Sequence, residues 1–258
     1  MGSKEKLSTL TPFGKIAIIG ASSGIGLALS KELARPGRKI ALVSRRLDEL
    51  TSIATAINEK HGQEIAIPFR ADVRDSDTAG EDLERIAESL GGLDVLIYST
   101  GLMTRIDRQD YDTTGDLGMV SVNINGAVAW MNAAARRFAI ARSGTIVGIS
   151  SVAADRGRSA NPVYGATKAF LDTYLEGLRN RIERYGCTVI TIKPGPVKTP
   201  MTAGLGKLPL IISAEDAAGQ IVRHMERGSR VAYIPGQWKM VMFAVKLIPS
   251  AIFKFLNF

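Results

Sequence analysis

Apolar runs of four to six residues alternate along this chain with longer stretches in which apolar positions recur every three or four residues. The runs lie at residues 15–20, 39–44, 64–69, 93–98, 144–149, 187–192 and 230–234. Continuous apolar runs of this length mark strands covered on both faces. Helical periodicity follows from Leu27, from Leu47 to His61, over 76–90, 114–139 and 162–185, and over 213–227. Ser76 is the expected N-cap of the third helix, and Ser213 caps the last one ahead of Glu215 and Asp216. Strands joined by such short helical crossovers demand a doubly wound parallel sheet of seven strands, an α/β domain in three layers. Nothing resembling a linker, repeat or low-complexity segment divides it. Residues 1–236 are expected to form one domain and 237–258 an appended tail.

Composition narrows this only a little. The chain has 258 residues, enough for one substantial core. Its single cysteine, Cys187, opens an apolar run and reads as a core residue, so a reducing, cytoplasmic compartment fits. His61 and His224 show no metal-ligand spacing, and no metal is expected. The run at 16–20 is too short for a signal-peptide core. A net charge of +8 favours anionic partners. Nucleic acid is not among those expected, because no basic run is interleaved with aromatics.

Two segments carry chemistry. The first strand feeds Gly20-Ala-Ser22-Ser23-Gly24-Ile25-Gly26 and then a helix. Glycines there let a backbone approach a pyrophosphate, and the helix N-terminus offers free N–H groups. Such a turn alone also serves other ligands. The second segment is Ser151 through Lys168. Tyr164 and Lys168, four apart, share one helix face. A cation near a phenol favours the phenolate and draws its pKa toward working pH. Beside the Ser151 hydroxyl, this trio suits proton transfer to or from an oxygen.

With Gly20-x-x-x-Gly24-x-Gly26, Asp72-Val73, Asn123, Ser151, Tyr164-x-x-x-Lys168 and Pro194-Gly195 in this order, residues 14–235 closely resemble the short-chain dehydrogenase/reductase family. The resemblance implies a Rossmann-type fold and hydride transfer between a nicotinamide and a carbonyl or secondary alcohol. It implies that Tyr164 is the general acid/base and that Ser151 binds the reacting oxygen. Lys168 would lower the Tyr164 pKa and hold the nicotinamide ribose, and Asn123 would hold a relay water. Asp72 and Val73 would meet the adenine, Gly101 would approach the cofactor, and Pro194, Gly195, Val197 and Thr199 would line the nicotinamide. It further implies a homodimer or homotetramer paired through the helices at 114–139 and 162–185. The same residues have plain structural uses: Ser151 as a strand-end cap, Asn123 as a helix kink, Asp72 as a turn residue, Thr199 as a cap. One departure from the family pattern is Tyr98-Ser99-Thr100-Gly101, where the family has Asn-Asn-Ala-Gly. It predicts altered hydrogen bonding at that strand end. A non-catalytic NADP-sensing or membrane-docking module on the same fold is the alternative reading.

The second strand ends at Ser44-Arg45-Arg46, with no carboxylate to accept from ribose hydroxyls. Arg45 offers a fork of donors for a phosphate, so NADP is expected over NAD. The tail at 238–258 is apolar and aromatic but is punctuated by Lys239, Lys246, Pro249 and Lys254. That composition defeats a membrane span and fits either an interfacial helix or a helix pair that folds back as a lid or packs on a partner subunit. The tail and residues 150–161 look similar to a bacterial branch of reductases of lipid-linked keto-sugars (decaprenylphosphoryl keto-pentofuranose). In that resemblance Arg156 and Arg158 lie where a substrate phosphate is met, and the enzyme works at the inner membrane face.

Overall fold

The computed structural model describes residues 13–104 and 111–256. The first twelve residues of the expected domain, residues 105–110, and the last two of the expected tail lie outside the described residues. The elements run β1 (Lys15–Ile19), α1 (Gly24–Leu33), β2 (Lys39–Ser44), α2 (Leu47–His61), β3 (Ala66–Arg70), α3 (Ala79–Leu90) and β4 (Val95–Tyr98). They continue as α4 (Thr113–Val120), α5 (Gly126–Ala141), β5 (Gly144–Ile149), α6 (Pro162–Ile182), β6 (Cys187–Pro194), α7 (Ala214–Glu226) and β7 (Val231–Ile234). Two further helices, α8 (Trp238–Leu247) and α9 (Ser250–Phe253), close the chain.

The seven strands form one parallel sheet in the order β3-β2-β1-β4-β5-β6-β7. After β3 the chain returns to the other side of β1, so the winding reverses between β1 and β4. At such a switch point the loops beyond the strand ends diverge and leave a crevice. Strand alternation feeds two cores. Ile16 and Ile18 of β1 pack with Leu29, Leu33, Leu50 and Ile221 beneath α1, α2 and α7. Ala17 and Ile19 point the other way, toward Leu83, Ile86, Trp130, Phe138 and Leu175 beneath α3, α5 and α6. Asp94, just before β4, accepts from the N–H groups of Gly14 at 3.0 Å and Lys15 at 2.9 Å and so fixes the start of β1.

Two local expectations change, and a third is narrowed. Ser76 does not cap α3: turns from Asp72 to Asp75 and from Asp75 to Thr78 consume that stretch, and the helix begins only at Ala79. The long helix expected over 114–139 is interrupted. A π-helical turn at Ser121–Asn125 separates α4 from α5, an inserted residue that apolar periodicity does not register. The tail, expected as a lid, a subunit contact or a membrane-lying segment, folds back onto its own domain. Trp238, Met242 and Val245 of α8 are buried with Val152 from the loop after β5.

A buried charge cluster ties this tail to that loop. Lys193, at the end of β6, bonds Asp155 and Asp172 at 2.6 Å each. Asp155 also accepts from Tyr233 at 2.9 Å and pairs with Lys246 of α8 at 2.9 Å. Next to it, Arg156 donates to the carbonyls of Lys246 and Ile248 at the C-terminal end of α8 and to Ser250 Oγ, with its guanidinium 4.6 Å from the Phe253 ring. Cations at a helix C-terminus satisfy its last carbonyls and its dipole.

Candidate active site

The crevice at the switch point is a cavity of about 1390 Å³. That exceeds the roughly 300–1,000 Å³ of ordinary ligand sites and leaves room for a dinucleotide and a second molecule together. Ser22, Ser23, Gly24 and Ile25 form one wall, Gly101 and Ser151 the middle, and Pro194, Gly195, Val197 and Thr199 another.

The glycine turn is built for close approach. Gly20 adopts φ +93°, and a Cβ there would lie 2.7 Å from Thr100 Oγ1. Gly26 stays outside the cavity lining; its Cβ would lie 2.1 Å from the Gly20 carbonyl oxygen, so it serves helix-to-strand packing. Ser23 precedes α1 without a side-chain cap bond. The first N–H groups of α1 therefore face the cavity, the arrangement that accepts a phosphate.

Beyond β5, Ser151 caps a short 3-10 turn (Val152–Asp155), its Oγ accepting from Ala153 N at 3.1 Å. It also lies close enough to the Tyr164 phenol to lower that group's pKa. Asn161 caps α6 and places Pro162 at its start, which sets Tyr164 in the first turn facing the cavity. One turn on, Lys168 is buried, with Nζ donating to the Ile149 carbonyl at 2.9 Å and lying 5.8 Å from the Tyr164 ring centre. The predicted trio is thus brought together.

Its electrostatics differ from expectation. Burial raises the Tyr164 pKa, and the opposing influences are the Ser151 hydroxyl and the charge of Arg158, not Lys168. Burial lowers Lys168 to about 8, partly offset by Asp172. Lys168, its Nζ tied to the Ile149 carbonyl 5.8 Å from the phenol ring centre, is not among the influences that lower the Tyr164 pKa.

Asn123 sits in the π turn, buried. Its Nδ2 donates to the Leu102 carbonyl at 2.9 Å and to Thr167 Oγ1 at 3.0 Å, and its Oδ1 accepts from Leu102 N at 2.7 Å. Both amide hydrogens are committed to the protein, so the side chain joins the exit of β4 to α6 and has no donor left for a relay water.

Asp72 is not brought to the cavity, although its neighbours Ala71 and Val73 line it. Its carboxylate accepts from Arg74 Nε at 3.0 and 3.1 Å, and Arg45 lies 3.9 Å away. Hydrogen bonding from Arg74 holds it below the usual carboxylate range against the effect of burial. The turn role describes Asp72 better than an adenine contact. Arg45 does line the cavity, with Ser44. So does Arg46, which is not among the residues expected at the site. Its Nη2 donates to Ser22 Oγ at 2.9 Å, joining the end of β2 to the glycine turn. The doublet Arg45-Arg46 was the available signal, but only the fold shows that both side chains reach the site.

The departure at β4 also finds its partner. Tyr98 is fully buried and donates to the Val122 carbonyl at 2.8 Å. That carbonyl lies inside the π turn, next to Asn123. Gly195 is close to the tail: a Cβ on it would fall 1.9 Å from Trp238 Nε1, so α8 begins against this wall of the site.

Residues 15–208 match the family model for short chain dehydrogenases. An uncharacterized oxidoreductase of Myxococcus xanthus is 29% identical over 238 residues, 92% of this chain and 93% of that one. An uncharacterized oxidoreductase of Staphylococcus epidermidis is 34% identical over 191 residues, 74% of this chain and 81% of that one. The solved structure of a short-chain dehydrogenase from Sphingobium yanoikuyae superposes with a TM-score of 0.79 at 24% identity, over 92% of this chain and 97% of that one. The chain belongs to the short-chain dehydrogenase/reductase family. It is an oxidoreductase of that class, with a nicotinamide cofactor and a single Rossmann-type domain.

Proposed function

We propose that this protein is an NADP(H)-dependent carbonyl reductase acting reversibly on an apolar, lipid-linked substrate met at the inner, anionic face of a membrane. The observation that carries the reductase reading is the convergence of Ser151, Tyr164 and Lys168 on one cavity with the glycine turn. When bound, the reduced nicotinamide supplies a hydride to the carbonyl carbon. Tyr164 gives its phenolic proton to the carbonyl oxygen, and in oxidation takes it back. Ser151 donates to that oxygen as charge develops on it. Lys168 holds the ribose and returns a proton toward Tyr164, as a group titrating near 8 is able to. Asn123 positions Leu102 and Gly101 against the cofactor. Ser22, Ser44, Arg45 and Arg46 receive the adenosine-ribose phosphate, Ser23 through Ile25 cradle the pyrophosphate, and Val73, Pro194, Gly195, Val197 and Thr199 frame the rings. The Sphingobium yanoikuyae relative was solved in complex with NADPH, which supports the choice of cofactor.

The membrane part of the proposal rests on the outer face of the tail. Met240, Phe243 and Leu247 form an exposed stripe on α8, with Ile252 and Phe255 following. Beyond Glu226 the chain has no acidic residue and carries Arg227, Arg230, Lys239, Lys246 and Lys254. Apolar area rimmed by cations binds anionic bilayers. Among the described residues no helix is long and apolar enough to cross a membrane, so contact would be peripheral. A subunit pair through α5 and α6 is part of the same proposal.

Titrating the protein with NADPH and NADH by nicotinamide fluorescence tests the cofactor. NADPH is expected to bind at least tenfold more tightly, and equal or tighter NADH binding overturns the roles of Arg45 and Arg46. Tyr164→Phe is expected to lower turnover by about 10²–10⁴-fold while keeping NADPH affinity. Retained turnover would remove Tyr164 as the acid.

A further inference from the structure

We infer that Lys193 is a positioning residue for the reaction: through Asp155 and Asp172 it clamps the turn that carries Ser151 to the helix that carries Tyr164 and Lys168. This rests on the carbonyl-reductase reading and adds to it a residue outside the reacting trio. Ser151 and Tyr164 must meet one substrate oxygen, yet Ser151 belongs to the loop at 150–161 and Tyr164 to α6. The near end of that loop is fixed by Ser150. Its N–H donates to the Ile192 carbonyl at 2.7 Å and its Oγ to the Lys168 carbonyl at 3.2 Å. The far end of the 3-10 turn that follows Ser151 is Asp155, and Lys193 holds it.

Lys193 stands on β6, which pairs with β5 on one side and β7 on the other. Its side chain is 7% exposed and that of Asp155 3%. Nζ bonds Asp155 Oδ1 and Asp172 Oδ2 at 2.6 Å each. Tyr233, in register with Lys193 on β7, donates to the other Asp155 oxygen at 2.9 Å. Two strands of the sheet therefore grip the serine turn, and Asp172 carries the grip to α6. Asp172 lies one turn beyond Lys168 and two beyond Tyr164, on the same helix face. The next residues after Lys193 are Pro194 and Gly195, which line the cavity. One ammonium thus ties together the serine turn, the tyrosine helix and the exit of β6. A buried cation between carboxylates adds little net stability, because desolvation offsets the attraction. What the charges add is direction: short bonds to two placed oxygens select one arrangement where apolar contacts allow several. Misplacing a reacting group by about 1 Å costs on the order of 10²-fold in rate. The clamp therefore acts on turnover more than on stability.

The test is the triple variant Lys193→Met, Asp155→Asn, Asp172→Asn. It removes the clamp without leaving a buried charge unpaired, and the amide oxygen at 155 still accepts from Lys246 and Tyr233. Its Tm, NADPH affinity and KM for phenanthrenequinone are expected to stay close to wild type, while kcat with NADPH falls by about 10²-fold. A merely structural role predicts instead that kcat follows Tm. A second readout needs no turnover. The Ala153 and Ala154 amides bond to the Ser151 Oγ and carbonyl, and their hydrogen exchange is expected to speed up about tenfold while β5 stays unchanged. Wild-type kcat, or unchanged exchange at these two amides, overturns the inference. If the triple variant melts early, Asp172→Asn alone decides, because Lys193 keeps Asp155. There kcat is expected to fall by about three- to tenfold at unchanged KM, and an unchanged kcat overturns the inference. If the wild type reduces no ketone, the reductase reading fails, and exchange alone decides the clamp: equal Ala153 and Ala154 rates in wild type and variant overturn it.

Discussion

Tyr98 ends β4 with its ring buried and its hydroxyl spent on the Val122 carbonyl, a group that regular helix would have satisfied along its own axis. Tyr98→Phe strips that carbonyl of its partner inside the core. The expected loss is about 1–3 kcal/mol of stability by chemical denaturation, with NADPH affinity falling as the neighbouring Asn123 and Leu102 loosen. Lys168 offers a pH test. It titrates near 8 in the fold against 10.5 ordinarily. Between those values the unfolded chain holds the extra proton, so raising the pH through that window favours the folded state. A stability–pH series on the cofactor-free protein should show a gain from pH 8 to 10 that Lys168→Met abolishes. The trio was legible in sequence because a four-residue spacing on a helix fixes a shared face. Its electrostatics were not, since burial outweighs proximity and burial depends on distant parts of the chain. The two readings of Asp72 could not be separated in sequence for a related reason: a carboxylate two residues before an arginine closes a local turn as readily as it meets a ligand.

At the scale of elements, the strands and α2, α6 and α7 were legible because each has one dominant period and clear ends. Ser213 caps α7, accepting from Asp216 N at 2.9 Å. Ser213→Ala is expected to cost about 1 kcal/mol by thermal or chemical unfolding, without changing cofactor affinity. The π turn was invisible because one inserted residue shifts apolar positions by less than the scatter of the pattern. For α8 the difficulty was an excess of signal. Trp238, Met242 and Val245 make one apolar stripe, and Met240, Phe243 and Leu247 make another. Periodicity shows both and cannot tell which is buried. That depends on the partner, Val152, which lies about ninety residues away in sequence. Phe243→Ser with Leu247→Ser tests the outer stripe. Binding to phosphatidylglycerol vesicles, measured by sedimentation, should fall at least tenfold while Tm stays within a few degrees. Unchanged vesicle binding would exclude the stripe as the contact.

For the whole molecule, the tail is part of the body. Removing residues 238–258 uncovers Val152 and takes Lys246 from Asp155, besides discarding three buried side chains. At roughly 1.5–3 kcal/mol for each buried apolar side chain, the loss is on the order of 5 kcal/mol. The Tm should fall by about 10 °C or more, and scanning calorimetry on the truncated chain checks this. Truncation therefore cannot separate substrate preference from folding, whereas the two outer-face substitutions can. The same integration has an optical consequence. The chain contains two tryptophans. Trp130 is buried under the sheet, and Trp238 stands against Gly195 at the wall of the cavity. Trp238 becomes a built-in fluorescence donor whose emission overlaps the absorption of a reduced nicotinamide beside it. The molecule thus carries its own reporter of site occupancy. Trp238→Phe would silence that signal and leave Trp130 as an internal standard.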